Sequence, residues 1–130
     1  MSGTLVLDCE GLSQLVRRRP ELIEWLAAAE AEDIRLVTSS VTLVEARDPR
    51  TNQARFDYAA SRVDIVPPTE AIARHASKLL ASAGLLGHEY ALDAIVAATA
   101  LASAAPATVL TADPEDLLTL CGPGAQVVKL

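Results

Sequence analysis

The chain has 130 residues, half of them hydrophobic but only 3% aromatic, and a net charge of −6 from 17 acids against 11 bases. A core of Leu, Val, Ile and abundant Ala argues against intrinsic disorder and suits one domain, residues 1–130, of helices packed closely on a sheet. The acidic balance argues against broad nucleic-acid binding through surface charge. Cys9 and Cys121 lie far apart with no CxxC or paired His, so neither a disulfide framework nor a zinc site is indicated.

The N-terminus carries no basic, apolar leader, and its first apolar run stops at Asp8. LVL at 5–7 reads as a first strand, followed by a helix over 12–18. Pro20 opens a second helix, with Leu22, Ile23, Leu26 and Ala29 as its apolar stripe. IRLVTS at 34–39 is a second strand. Ser40 would cap a short helix through VTLVEAR, ended by Asp48-Pro49. A modest helix over 51–61 and a strand at 63–66 come next. Thr69 then starts a helix running to Gly84, and 84–88 is a loop. An Ala-rich helix at 90–104, a strand at 107–111, a helix at 114–120 and a strand at 125–130 complete the chain. The stretch 91–110 is interrupted by Asp93 and Pro106, so it reads as a buried helix, a turn and a strand, not a membrane span. The expected location is cytoplasmic.

All-apolar strands alternating with helices predict an α/β fold: a parallel five-stranded sheet covered on both faces. Ligands of such sheets sit beyond the carboxyl ends of the strands, where the strand order reverses. Acids at those ends therefore matter. Asp8 follows strand one, and capping a helix would explain it only poorly if that helix begins at Leu12. Glu45 lies in VTLVEAR, where Thr42-x-x-Glu45 matches a capping box. Asp93 stands near the start of the Ala-rich helix, favourable for the helix dipole, yet its neighbours at helical spacing are Val96, Ala97 and Ala100. Asp113, before Pro114, has the form of an N-cap, with Thr111 and Asp116 close by.

Singly, each acid has a structural explanation. Together at one switch point, four carboxylates would repel unless a cation sat among them, and all-oxygen ligation suits Mg²⁺ or Mn²⁺. Such an ion can generate hydroxide and stabilise a phosphodiester under attack. Arg47, Arg50 and Arg55 follow Glu45 and are candidates for holding a phosphate backbone.

LVLDCEGLS, SSVTLVEA, LDAIVAATAL and VLTADPEDL, in this order and spacing, resemble the four motifs of PIN domains, and most closely those of the small VapC-type toxins of VapBC toxin–antitoxin pairs. The resemblance spans essentially the whole chain. It implies a three-layer α/β/α sandwich with strand order 3-2-1-4-5, and a metal-dependent endoribonuclease. Asp8 and Asp93 would be the main Mg²⁺ ligands, with Asp113 and Asp116 as candidates for further contacts. Glu45 and Asp113 would complete the acidic, catalytic pocket, and Thr111 matches the hydroxyl residue beside the fourth acid. A homodimer, an RNA substrate (tRNA, rRNA or mRNA) and a VapB-like antitoxin are implied partners. Two features depart from the pattern. Cys9-Glu10 stands where many members have Thr or Ser after the first Asp. The chain is also acidic, so positive surface must come from Arg17-Arg18-Arg19 and from Arg47, Arg50 and Arg55. The alternatives are a PIN-like binding module that no longer cuts, and an aspartate-phosphorylated phosphatase or receiver domain. The second lacks a DxD motif and a Lys after strand four.

Overall fold

The computed structural model describes residues 3–130. Its strands are β1 (Thr4–Leu7), β2 (Arg35–Ser39), β3 (Asp64–Val66), β4 (Ala107–Thr111) and β5 (Gln126–Lys129). All pair in parallel, in the order β3-β2-β1-β4-β5. This is the predicted order. The chain builds outward from β1 to β3, then returns to the other side of β1, so the switch point lies at β1 and β4.

The helices are α1 (Cys9–Val16), α2 (Pro20–Ala31), α3 (Ser40–Glu45), α4 (Gln53–Ser61), α5 (Glu70–Ala83), α6 (Gly87–Leu101) and α7 (Pro114–Cys121), with a short 3₁₀ turn at Gly122–Gly124. Successive strand side chains point to opposite faces, and the two hydrophobic layers follow that rule. Leu5, Leu7 and Leu110 pack with Leu12, Leu22, Leu26 and Phe56 of α1, α2 and α4. Val6 and Val109 pack with Ile72, Ala97 and Leu117 of α5, α6 and α7. Alanines make the second layer possible, because α6 presents Ala94, Ala97, Ala98 and Ala100 as buried contacts and can lie close to the sheet. Among the described residues, no helix is long and apolar enough to cross a membrane.

Local chemistry explains the boundaries. Pro20 occupies the first turn of α2, where its missing N–H costs nothing. Thr69 caps α5 through the amide of Ile72, and Gly84 ends that helix at φ +68°, a left-handed conformation suited to glycine.

Four helix starts differ from the sequence expectation, that of α4 falling at Gln53 and not at Thr51 because the Asn52 side chain caps it. α1 begins at Cys9, not at Leu12, because the Asp8 side chain caps it. α3 is capped by Ser39, one residue earlier than expected, and ends at Glu45, before Asp48-Pro49. α6 begins at Gly87, so 87–88 are helix where a loop was expected and Asp93 is the seventh residue of the helix. The dipole advantage fades within the first turn, and it therefore does not account for Asp93.

A hydroxyl cluster fixes the carboxyl ends of β1 and β2. The buried Thr38 hydroxyl donates to the Leu7 carbonyl at 2.7 Å and lies 2.6 Å from the Thr42 hydroxyl, which reaches the Ser39 carbonyl at 2.7 Å. Thr42 is thus spent inside the fold, and the Thr42–Glu45 capping box does not form. Replacing Thr38 by Val keeps the shape but leaves the Leu7 carbonyl and the Thr42 hydroxyl short of a partner. Urea unfolding of Thr38→Val is expected to show a loss of about 1–3 kcal/mol.

Candidate acidic metal pocket

The strand register sets the frame. Leu7 pairs with Thr38 on one side and Leu110 on the other, so Asp8, Ser39 and Thr111 leave the sheet at one level. Asp8 is only 7% exposed, and its Oδ1 accepts the Gly11 amide at 2.9 Å. Burial raises its pKa above the usual carboxylate range, against the pull of hydrogen bonds from the Thr111 hydroxyl and the Gly11 and Glu10 amides. Thr111 is itself buried, and its oxygen also accepts the Asp113 amide at 3.0 Å. The Thr111 hydroxyl therefore lies between the first acid and the turn that carries the fourth.

Asp93 is half-buried on the face of α6 that includes buried Val96, Ala97 and Ala100. Its pKa is pushed up to about 6, first by burial and then by the negative charges of Glu45, Asp116, Asp8 and Asp113. All the other predicted acids, from three separate segments, bear on this one carboxyl group. Asp113 stands at the N-cap position of α7, yet its side chain makes no capping hydrogen bond. That carboxylate is left for other work. Asp116 is raised by its own desolvation, then by the charges of Asp113 and Glu115. Glu45, the exposed last residue of α3, faces the same space.

Two further residues belong to this neighbourhood. Cys9 is half-buried, and burial pushes its thiol far up, helped by a hydrogen bond to Glu45 and by the charges of Asp8, Glu45 and Asp93. Tyr90 lies one turn before Asp93 on α6, and its phenol is raised first by Asp116 and then by Glu89. Its only signal in the sequence is the i,i+3 spacing to Asp93, which gains meaning once α6 is known to start at Gly87.

No basic side chain is among the groups acting on Asp8, Asp93 or Asp116. The repulsion is balanced only by protons or by a cation from outside. Among the described residues, no three His, Cys, Asp or Glu side chains converge closely enough to form a ready cage. Coulombic coupling reaches further than coordination, so these two observations are compatible. The all-oxygen donor set is of the kind that hard divalent ions such as Mg²⁺ and Mn²⁺ take.

The arginines divide. Arg47 stacks over Phe56 at 5.2 Å and donates to Gln53 Oε1 at 2.7 Å. Arg50 binds Asp48 through two nitrogens, at 3.1 and 2.9 Å. Arg55 has no acidic partner among the described residues. Arg17 pairs with Glu10 at 3.0 Å, and Arg18 lies 5.5 Å from the Tyr58 ring centroid.

A parallel, doubly wound sheet with carboxylates gathered about the carboxyl ends of β1 and β4 places the candidate site at its switch point. The chain belongs to the PIN domain family, whose sequence model matches residues 5–118. Its fold is similar to that of a chain in the crystal structure of VapBC2 from Rickettsia felis bound to a DNA fragment from their promoter. There the TM-score is 0.72, with 16% identity over 98% of each chain. It is also similar to a chain in a toxin–antitoxin complex from Klebsiella pneumoniae, with a TM-score of 0.67 and 24% identity over 93% of this chain and 94% of that one. At such identities the likeness speaks for the fold. No protein of curated function matches the sequence.

Proposed function

We propose that this chain is a divalent-metal-dependent endoribonuclease and the toxin of a VapBC-type toxin–antitoxin pair. The observation that carries the reading is the convergence of Asp8, Glu45, Asp113 and Asp116 on Asp93 with no base among them. In this proposal Asp8 and Asp93 hold Mg²⁺ or Mn²⁺, with Asp113 and Asp116 contributing through bound water. The ion, when bound, lowers the pKa of a water and offsets charge on the phosphate.

The chain's own residues do the rest. Glu45, exposed at the end of α3, accepts the proton of the attacking water. Thr111, beside Asp8, accepts the Asp113 amide and so holds the turn that carries Asp113. Burial of Asp8 in the first turn of α1 gives the pocket a rigid floor. The substrate is RNA, the setting the cytoplasm, and the working form a homodimer. Likeness to chains from toxin–antitoxin complexes supports a small VapB-like antitoxin as the silencing partner.

Expression of the chain in a bacterial host is expected to arrest growth. Co-expression of a small antitoxin gene from the adjoining reading frame is expected to restore it. Growth unaffected by the wild-type chain at confirmed expression would count against the toxin reading.

A further inference from the structure

The acidic pocket does not explain how a strongly acidic protein would hold a polyanion. Outside the pocket, a cleft of about 400 Å³ is lined by Val16, Arg17, Arg50, Thr51, Asn52 and Arg55. A second, of about 180 Å³, shares Val16, Arg17 and Thr51 with it and extends back to Glu10 and Ser13. Glu10, Ser13 and Arg17 fall on successive turns of one face of α1 and its C-cap. The two clefts therefore form one trough that starts two residues from Asp8. At 1.5 Å per residue it reaches Arg17 after about 10 Å, a span of one or two nucleotides.

Resting on the nuclease reading, we propose that this trough is the subsite for the RNA backbone flanking the scissile phosphate, with Arg55 and Arg17 as its principal phosphate contacts. The trough carries three arginines against two acids, Glu10 and Asp48, which leaves Arg55 as the cation with no acidic partner among the described residues. Arg17 and Arg50 are held by solvent-exposed ion pairs. Such pairs contribute little, so a phosphate can displace either carboxylate. Arg47, engaged with Phe56 and Gln53, buttresses the α3–α4 loop and does not reach into the trough. Thr51 and Asn52 supply neutral donors along the same wall. The subsite contacts backbone and not bases, so it adds affinity without sequence preference.

The test uses the cleavage-deficient Asp93→Asn protein and a labelled, mixed-sequence single-stranded oligoribonucleotide, with binding measured across a salt series. Arg55→Ala and Arg17→Ala are each expected to weaken binding about fivefold to tenfold and to lower the salt slope by about 0.7 for each phosphate no longer neutralised. Arg55→Lys should recover part of the affinity. Arg74→Ala serves as a charge-matched control, since Arg74 pairs with Glu70 on α5 in the opposite layer. In the otherwise wild-type protein, Arg55→Ala should raise KM with kcat retained. Unchanged binding and slope in both trough variants, or an equal loss in Arg74→Ala, would overturn the subsite. Failure of the Asp93→Asn parent itself to bind RNA would instead contradict the nuclease reading beneath it.

Discussion

Replacing Asp93 with Asn is expected to stabilise the metal-free protein at neutral pH while ending catalysis. The folded pKa of Asp93 is raised from 3.8 to about 6. The native state therefore binds a proton more readily than the unfolded chain. Below about pH 4 both states are protonated and the group contributes nothing. As pH rises through the window from about 4 to 6, the unfolded chain ionises freely and the native state does not, so stability falls. Above that window the cost is fully present. The whole shift corresponds to about 3 kcal/mol, and partial solvent screening brings it to about 1–2 kcal/mol. Asn keeps the shape and removes the charge. In the presence of a chelator, thermal melts at pH 7.5 should place Asp93→Asn roughly 3–8 °C above wild type, with the difference vanishing near pH 4. Mg²⁺ should raise the wild-type midpoint and leave that of the variant unmoved. A variant less stable than wild type at pH 7.5 would show that Asp93 serves the fold, not a cation.

Asp8 offers the complementary experiment, because it has two roles that substitution can separate. As the N-cap of α1 it accepts the Gly11 amide, and as a proposed ligand it supplies charge. Asn is an equally good N-cap, whereas Ala is not. The pKa of Asp8 is raised by burial, as that of Asp93 is, so without metal Asp8→Asn is expected to be at least as stable as wild type at neutral pH. Asp8→Ala is expected to be about 1 kcal/mol less stable than Asp8→Asn in denaturant titration. Both should reduce cleavage about a thousandfold or more, since each removes a ligand to an ion worth several kcal/mol in the transition state. Retained cleavage in Asp8→Asn would remove Asp8 from the metal set.

The parallel sheet was legible because short apolar runs alternate with helical patterns, whereas its strand order came from the likeness of the four acidic motifs to those of PIN domains. Helix starts were less legible. That of α1 depends on the Asp8 side chain folding back on Gly11, and that of α6 depends on Leu86 and Gly87, which carry no capping signal. The later start expected for α6 concealed a better argument, since Asp93 in the second turn has no dipole to justify it.

At Asp113 the reverse held. The motif Asp-Pro-x-Asp reads as a cap, yet the side chain is unused. Arg47, Arg50 and Arg55 are equivalent as letters. Only tertiary contacts distinguish a stacked, an ion-paired and an unpartnered guanidinium. Thr38 gave no signal and Thr42 a misleading one, because hydroxyls buried at strand ends resemble any β-branched residue, or a cap, until their partners are in place.

The central claim is metal-dependent cutting of RNA at the Asp8–Asp93 pocket, and its most direct measurement is cleavage of total cellular RNA by the purified protein. The wild type with Mg²⁺ or Mn²⁺ is expected to give discrete fragments, and chelator or Asp93→Asn to abolish them. Intact RNA under both metals, with a folded and monodisperse wild-type protein, would contradict the account and leave a PIN-fold binding module. So would fragments that persist unchanged in Asp93→Asn.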